Sequence, residues 1–497
     1  MYTFLISIAV LIAGYLLYGL LMEKIFSIDK NRTTPAFSKQ DGVDYVPMPW
    51  YKIFLIQFLN IAGLGPIFGA IAGAMWGPSA FLWIVFGSIF GGAVHDYMAG
   101  MMSMRLDGLS LPEIIGRYLG KPVMQFMRAF TVMLMILVGA VFIMGPAEIL
   151  AGLTADSFSI GNTEIALDLT FWAIMVFVYY FLATMLPIDK LIGRIYPLFG
   201  FALLFMAVAI IGAIFFGGFQ IPEITGNLYN QHAKGDSMPI FPMMFISIAC
   251  GAISGFHATQ SPLMARCIKN EKYGRRVFYG AMITEGILAL IWAAAAMAFF
   301  GGVEQLNDTM IAKNGNAAWV VNEISNSLLG RFGAVLAILG VVAAPITSGD
   351  TAFRSARLIV ADFLHVSQKS ILHRLYIAAP LFLGGFILTQ VDFGIIWRYM
   401  AWSNQTLATI TLWAITVYLV LEKKAWIVSF IPATFMTMVA SSYIFFAPEG
   451  LQLPYQLSAT IGAGITALVL ILFFTWFIKS RKQANTNLQT EEVLIDK

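Results

Sequence analysis

Long apolar runs recur along the chain from Tyr2 to Ile478, and they restrict its possible folds more than any other feature. Each run extends over about 20 residues, which is the length that a helix needs to cross a bilayer core of about 30 Å. Charged residues make up only 11% of the chain, against about 25% in soluble domains. The strands of a membrane β-barrel would instead alternate apolar and polar residues over about 10 positions. The sequence therefore predicts an all-α polytopic membrane protein.

About thirteen segments qualify as transmembrane helices by length and hydropathy. The predicted spans lie near 3–22, 51–75, 80–104, 124–151, 168–186, 191–216, 241–265, 276–300, 331–361, 371–389, 394–421, 425–446 and 455–478. An odd number of spans places the two ends of the chain on opposite sides of the membrane. The polar segment 479–497 would then be a tail on the side where the chain ends.

Lys and Arg fall almost entirely on one side of the predicted membrane. That side receives the segments 23–50, 105–123, 187–190, 266–276, 354–370, 422–424 and the tail. All but four of the 30 Lys and Arg lie there, the exceptions being Lys234, Lys313, Arg331 and Arg398. Because cytoplasmic loops carry an excess of Lys and Arg, we predict a cytoplasmic C-terminus and an N-terminus on the outside.

Two predicted spans carry sequences that interrupt a helix at membrane depth. The first runs from Asn60 to Pro66 and contains Gly63 and Gly65, and the second is the stretch 251–262. Glycine loosens the helical backbone, and proline removes a hydrogen-bond donor. Broken helices survive in a membrane only where protein or a wet cavity surrounds the break. Each stretch taken alone is equally compatible with an ordinary Gly/Pro kink.

The two breaks are more informative as a pair. Five spans, an odd number, separate the start of the first broken segment from the start of the second, so the two enter the membrane from opposite sides. That is the geometry of inverted repeats with a site at discontinuous helices. The repeats would be the spans within 51–216 and within 241–421. One extra helix, 3–22, would precede them, and two extra helices, 425–478, would follow.

A third polar element lies in the ninth predicted span, where Thr347 and Ser348 carry adjacent hydroxyls. Hard cations prefer oxygen ligands, so these hydroxyls would complete a small cation site with carbonyls freed near Ala62 at the first break. The alternative is that both hydroxyls bond back to their own helix.

Four stretches, 61–69 with 92–96, 254–262, 345–357 and 403–408, together resemble the carbon starvation protein A (CstA) family of transporters. The resemblance extends over about residues 45 to 410, and the chain is shorter at its C-terminal end than the long members. It implies uptake of pyruvate or small peptides across the bacterial inner membrane during carbon starvation. It also implies membership of the amino acid–polyamine–organocation superfamily, with a LeuT-like five-plus-five inverted repeat.

Polar residues at membrane depth are the candidate site residues, because such residues are expensive and usually functional. The expected substrate-binding residues are Asn60, Gly63, Gly65, Ser254, His257, Gln260, Asn404 and Gln405. The expected ion- or proton-coupling residues are Ala62, His95, Asp96, Glu285, Thr347, Ser348 and Asp350. For His95 and Asp96 a structural role is the alternative, since consecutive helix residues point about 100° apart. For Asn404 and Gln405 the alternative is that the amides hold helices together.

The predicted function is secondary transport of a small carboxylate or peptide, driven by H⁺ or Na⁺. We expect no enzyme activity, no cofactor other than Na⁺ as a coupling ion, no metal site and no nucleic-acid partner, because the sequence lacks the corresponding motifs. Two further functions stay open. One is that of a membrane redox protein with haem between His95 and His257, and the second is that of a channel or nutrient sensor. The sequence does not choose between pyruvate and peptide or between H⁺ and Na⁺, and it leaves the oligomeric state open.

Overall fold

The computed structural model describes residues 1–154, 157–160, 163–185, 192–368 and 370–495. This part of the chain is almost entirely helical. One short antiparallel hairpin pairs β1, Ser157–Ile160, with β2, Thr163–Ala166. The predicted all-α polytopic class is thus confirmed.

Most helices follow one another with short connections, and the segment 217–239 is a longer one. In chain order they are α1 (Tyr2–Phe26), α2 (Pro35–Ser38), α3 (Trp50–Ile61), α4 (Gly65–Trp76), α5 (Ser79–Arg105), α6 (Leu111–Leu119), α7 (Lys121–Leu153), α8 (Leu169–Met185), α9 (Ile192–Phe216), α10 (240–247), α11 (Ala249–Ala252), α12 (Gly255–Ala265), α13 (Glu271–Phe299), α14 (Val303–Ala312), α15 (Ala317–Leu336), α16 (Ala343–Leu364), α17 (Ile371–Leu388), α18 (Phe393–Leu421), α19 (Ile427–Phe446) and α20 (Tyr455–Ile495). A π-helical turn, Ala337–Val342, joins α15 to α16.

Helix is present at each of the thirteen predicted spans. Among the described residues, nine helices are long and apolar enough to cross a membrane, and the bent pair α3–α4 makes a tenth. The remaining three predicted spans fall on the 17-residue helix α8, on the interrupted helices α10 to α12, and on α15 with α16. The last helix, α20, also takes in most of the predicted tail, because no Gly or Pro follows Gly464 to end it.

Several loops predicted to be cytoplasmic meet on one surface. The Asn270 amide donates to the Lys30 carbonyl over 2.7 Å, and the Arg105 guanidinium donates to the Ser27 carbonyl over 2.7 Å. We call this surface the basic face; it comprises 23–50, 105–123 and 266–276. At the opposite face, Asn307 donates to the Met75 carbonyl over 3.0 Å. These contacts agree with the predicted alternation of the spans, and which face is cytoplasmic stays a prediction.

The two interrupted segments run in opposite directions. The start of α3 lies at the basic face, where the Met48 N–H donates to the Cys267 carbonyl just beyond α12 (3.1 Å). The end of α4 lies at the opposite face, where the Trp76 indole donates to the Met238 carbonyl just before α10 (2.8 Å). This antiparallel arrangement is the one expected of inverted repeats, whose exact boundaries stay a prediction.

Candidate functional site

The two interrupted segments touch each other at their breaks. A Cβ atom built on Gly65 would overlap Cβ and Sγ of Cys250, and one built on Gly69 would lie 2.7 Å from the Ser247 carbonyl oxygen. The absence of side chains at these two glycines therefore lets the two backbones approach. The structure thus brings together the two stretches that the sequence singled out.

The first break leaves helical geometry at Ala62, whose φ is −78° and ψ is 48°. The chain resumes as α4 at Gly65, and Pro66 lies in the first turn of α4, where its missing N–H costs no helical bond. Gly63 and Gly65 are both buried. The break is therefore enclosed by protein, as a membrane requires of unpaired backbone groups.

Of the adjacent hydroxyl residues Thr347 and Ser348, Ser348 lies against this first break. Ser348 Oγ is 3.1 Å from the Leu59 carbonyl oxygen and 2.9 Å from that of Ala344. Thr347 Oγ1 donates to the same Ala344 carbonyl over 2.7 Å. Ser348 thus lies next to the end of α3, and both hydroxyls bond back to their own helix, while a cation site at this pair stays a prediction.

The second break is extended at Ile253 and Ser254, and amides from α18 satisfy it. Asn404 Oδ1 accepts from the Phe256 N–H over 2.5 Å, and Asn404 Nδ2 donates to Ser254 Oγ over 2.7 Å. Gln405 Nε2 donates to the Ile253 carbonyl over 2.7 Å. Asn404 and Gln405 therefore satisfy polar groups of the break and hold α18 against it. This is the helix-holding role given above as the alternative to substrate binding.

Four titratable side chains meet beside the second break, and we call them the His–Asp–Glu cluster. Asp96 Oδ1 lies 2.8 Å from His95 Nδ1, and Asp96 Oδ2 lies 3.0 Å from His257 Nδ1. His257 Nε2 lies 3.4 Å from Glu285 Oε2, which is ion-pair distance without a hydrogen bond. All four side chains are fully buried.

This cluster joins α5, α12 and α13 by groups that can carry protons. A buried carboxylate without a compensating charge is very costly, so the two acids avoid a net charge of −2 only when protons occupy the cluster. The His257 ring presents one nitrogen to each acid, which places it to pass protons between them. Within the described residues no group of three or more His, Cys, Asp or Glu is arranged to hold a metal ion.

Asp350 lies in a different polar group. Its Oδ2 accepts from the Tyr196 hydroxyl over 2.6 Å, and Thr184 Oγ1 lies 3.4 Å from its Oδ1. Gln260 lies one turn after His257 on α12 and donates to Ser355 Oγ over 3.3 Å. Asp350 and Gln260 therefore have hydrogen-bond partners outside the His–Asp–Glu cluster.

Asp44 is a buried charge that the sequence analysis did not single out. Its Oδ1 lies 3.6 Å from Arg354 Nη1 and 3.8 Å from Arg357 Nη2, and all three side chains are buried. Arg354 Nη2 also donates to the Ala183 carbonyl over 2.9 Å. A loop residue of the basic face is thereby held against α16.

Gln57 is not among the predicted site residues, although its spacing of three residues from Asn60 would have indicated it. It lies one turn before Asn60 on the same face of α3, and both amides are fully buried. In the described part of the chain neither the oxygen nor the nitrogen of either amide has a hydrogen-bond partner. Four unsatisfied polar atoms beside a break mark a surface that a polar ligand would satisfy.

Replacing Gln57 by Leu should therefore separate stability from transport. Removing a buried unsatisfied amide is expected to raise the free energy of unfolding by about 1–3 kcal/mol. If this chain transports the carboxylate that the family resemblance implies and Gln57 donates to it, the KM for uptake should rise by about tenfold. Thermal unfolding in detergent and initial uptake rates measure the two effects. The exposed Gln456→Leu is the matched control, and an unchanged KM in Gln57→Leu would remove Gln57 from the site.

The comparisons with known proteins bear on this geometry. The family described as "Carbon starvation protein CstA" matches residues 1–163 and 146–394. The chain belongs to the CstA family. The residues matched include the first break and all three helices that supply the His–Asp–Glu cluster.

Relatives in the CstA family differ in what their names state. An "Uncharacterized membrane protein" of Haemophilus influenzae is 44% identical over 62% of this chain and 94% of its own length. The "Peptide transporter CstA" of Campylobacter jejuni is 28% identical over 79% of this chain and 64% of its own length. The "Pyruvate/proton symporter BtsT" of Escherichia coli is 30% identical over 58% of this chain and 48% of its own length. The alignments thus span about two-thirds of the Campylobacter transporter and about half of the Escherichia symporter.

Solved transporter structures share the fold. A manganese transporter of Eremococcus coleocola superposes with a TM-score of 0.53 at 16% identity, covering 89% of this chain and 99% of that chain. MhsT, solved with L-phenylalanine, superposes with a TM-score of 0.55 at 16% identity, covering 78% of this chain and 98% of that chain. This CstA-family chain therefore has the predicted LeuT-like transporter fold.

Proposed function

We propose that this chain is a secondary transporter that imports a small carboxylate together with protons, and that pyruvate is the first substrate to test. The observation that carries the proposal is the buried cluster in which Asp96 contacts His95 and His257, with Glu285 beside the latter. A cluster that stays near neutrality only by holding protons, next to a broken helix, suits proton coupling. The relative named as a pyruvate/proton symporter supports the same choice.

The substrate carboxylate would bind between the two breaks. The N-terminal end of α12 begins at Gly255, next to the break, and its partial positive charge favours an anion. The amide groups of Gln57 and Asn60 would donate to the carboxylate or keto oxygens. Opening toward one face would wet both the substrate and the His–Asp–Glu cluster, so that protons and substrate leave on the same side.

Sodium is the second candidate for the coupling ion. It is less favoured than H⁺, because the hydroxyls predicted to bind it already form hydrogen bonds. Thr347 and Ser348 both donate to the Ala344 carbonyl, and Ser348 also reaches the Leu59 carbonyl. A sodium ion would have to replace these bonds, whereas a proton needs no such rearrangement. We therefore favour H⁺, and no resident cofactor is part of the proposal.

Short peptides are the second candidate substrate class, because a relative is named as a peptide transporter. A peptide carries a terminal carboxylate that would use the same N-terminal end of α12. The family description adds a role during carbon starvation, which growth of a deletion strain on limiting carbon would test.

Uptake into proteoliposomes tests the proposal. Labelled pyruvate and a labelled dipeptide are supplied under an imposed H⁺ gradient or an imposed Na⁺ gradient. We expect pyruvate accumulation with the H⁺ gradient, its loss with a protonophore, and no effect of replacing Na⁺ by K⁺. Accumulation that follows Na⁺ alone would overturn proton coupling, and accumulation of the dipeptide alone would overturn the pyruvate assignment.

The same preparation distinguishes a transporter from a channel, a sensor or a haem protein. Flux that does not saturate and does not follow a gradient would favour a channel or a sensor. A haem held between His95 and His257 would give a Soret absorbance band that disappears when either histidine is replaced. We expect the purified protein to show no such band.

A further inference from the structure

A cavity on the basic face lies away from the breaks. It encloses about 440 Å³ between the end of α1, the following loop and the start of α13. Five charged side chains and one aromatic ring line most of it: Glu23, Lys30, Lys272, Tyr273, Arg275 and Arg276. The Asn270 amide ties the two sides of the cavity together by donating to the Lys30 carbonyl over 2.7 Å.

The cavity has an excess of positive charge. Glu23, the acid among the lining residues, is already paired, because its Oε2 accepts from Arg275 Nε over 3.0 Å. Among the ion pairs of the described residues, none involves Lys30, Lys272 or Arg276. The nearby acid Glu271 is likewise paired, with Arg105 at 3.0 Å and Arg32 at 3.6 Å. Three cations are therefore left to face an anion of matching size.

Aromatic rings give the cavity the character of a membrane interface. The Arg276 guanidinium lies 5.0 Å from the ring centre of Trp50, and the Lys272 ammonium lies 5.1 Å from that of Tyr273. The Trp50 and Tyr273 rings stack at 6.4 Å. Trp and Tyr collect at the level of lipid headgroups, where basic side chains meet lipid phosphates.

An exposed apolar strip continues from the cavity along α1. Leu20 and Leu16 precede Glu23 by three and seven residues, so they share its face of the helix, and both are about half exposed. This strip would accommodate an acyl chain below a headgroup held by the cations. A free phosphate compound would have no use for it.

We propose that the cavity binds the phosphate headgroup of an anionic phospholipid. The lipid would bridge Lys30 beside α1 and Lys272 and Arg276 at the start of α13. Because α13 also carries Glu285, the lipid would brace the part of the molecule that holds the His–Asp–Glu cluster. The proposal itself does not depend on which substrate is transported.

Native mass spectrometry of the purified protein, titrated with phosphatidylglycerol, tests this site. A charge near lipid phosphates contributes about 1 kcal/mol, so each removed cation should weaken lipid binding about 5-fold and the double variant K30Q/K272Q roughly 30-fold. The variant K30R/K272R should bind as the parent does. The matched control K234Q/K313Q removes two exposed charges at the opposite face and should leave binding unchanged.

Three outcomes would overturn the proposal. The first is equal phosphatidylglycerol binding by K30Q/K272Q and K234Q/K313Q. The second is equal binding of phosphatidylcholine, which lacks a net charge. The third is displacement of the lipid by inorganic phosphate at millimolar concentration, which would assign the cavity to free phosphate. Gel filtration confirms folding, which both double variants should keep because Lys30, Lys272, Lys234 and Lys313 are exposed.

Discussion

Replacing Asp96 by Asn should lower gradient-driven uptake by about 100-fold or more, the usual effect of losing a positioned proton acceptor. The Asp96 carboxylate accepts from a nitrogen of His95 at 2.8 Å and of His257 at 3.0 Å. An Asn amide has nearly the same shape, but it carries no charge and offers only one oxygen. The two histidines would then lose the shared group through which, under the proposed coupling, a proton would pass between them.

Pyruvate exchange distinguishes a role of Asp96 in proton coupling from a role in the structure alone. Exchange of labelled for unlabelled pyruvate across the membrane needs no net proton movement, so it should persist in Asp96→Asn and lose its dependence on pH. Asp107→Asn is the matched control, because Asp107 is an exposed acid just beyond the same helix. If Asp96→Asn drives uptake at the parental rate with the parental pH profile, the cluster does not couple transport.

The variant Glu285→Gln covers the case in which Asp96→Asn does not fold. It removes one proton-binding group while keeping the size of the side chain. We expect folded protein whose uptake depends less steeply on the pH gradient. An unchanged dependence would argue that Glu285 serves the structure alone.

Replacing Gly65 by Ala should both destabilise the protein and abolish uptake. The new Cβ would overlap Cβ of Cys250, an atom next to the backbone that cannot turn away. Overpacking of this kind costs about 1–3 kcal/mol, and here the two broken helices would have to separate at the site. Thermal unfolding in detergent and pyruvate uptake measure the two consequences.

A second substitution makes this prediction specific. Cys250→Gly removes the atoms that Gly65→Ala would strike, so the double variant should regain stability and uptake relative to Gly65→Ala. Gly212→Ala is the control, since a Cβ there would meet nothing within 4 Å and should leave both properties unchanged. A Gly65→Ala protein as stable and active as the parent would contradict the close packing of the breaks.

Much of the fold could be predicted because membrane constraints act locally. The positions of the helices follow from apolar length, and the two breaks follow from Gly and Pro at membrane depth. Their opposite directions follow from counting spans, and the contacts of Met48 with Cys267 and of Trp76 with Met238 agree.

The partners of polar side chains were harder to predict. The amides of Asn404 and Gln405 look alike in sequence whether they bind substrate or brace a break, and only their contacts with Ser254 and Ile253 distinguish the two. The role of the adjacent hydroxyls of Thr347 and Ser348 was similarly ambiguous in the sequence, because a hydroxyl can bond to its own helix or to an ion. Asp44 could not be predicted as a buried charge, because nothing in the sequence of its loop indicates that the loop packs against Arg354.

Apolar length, basic loops and helix-breaking residues are enough to define a polytopic chain with two antiparallel interrupted helices, because the bilayer acts on each segment separately. The His–Asp–Glu cluster needs packing between segments. Asp96 meets His257 across 161 residues of chain, and Glu285 joins them from a third helix. Their proximity depends on how three helices pack around glycines at the breaks, and no local property of the chain specifies that arrangement.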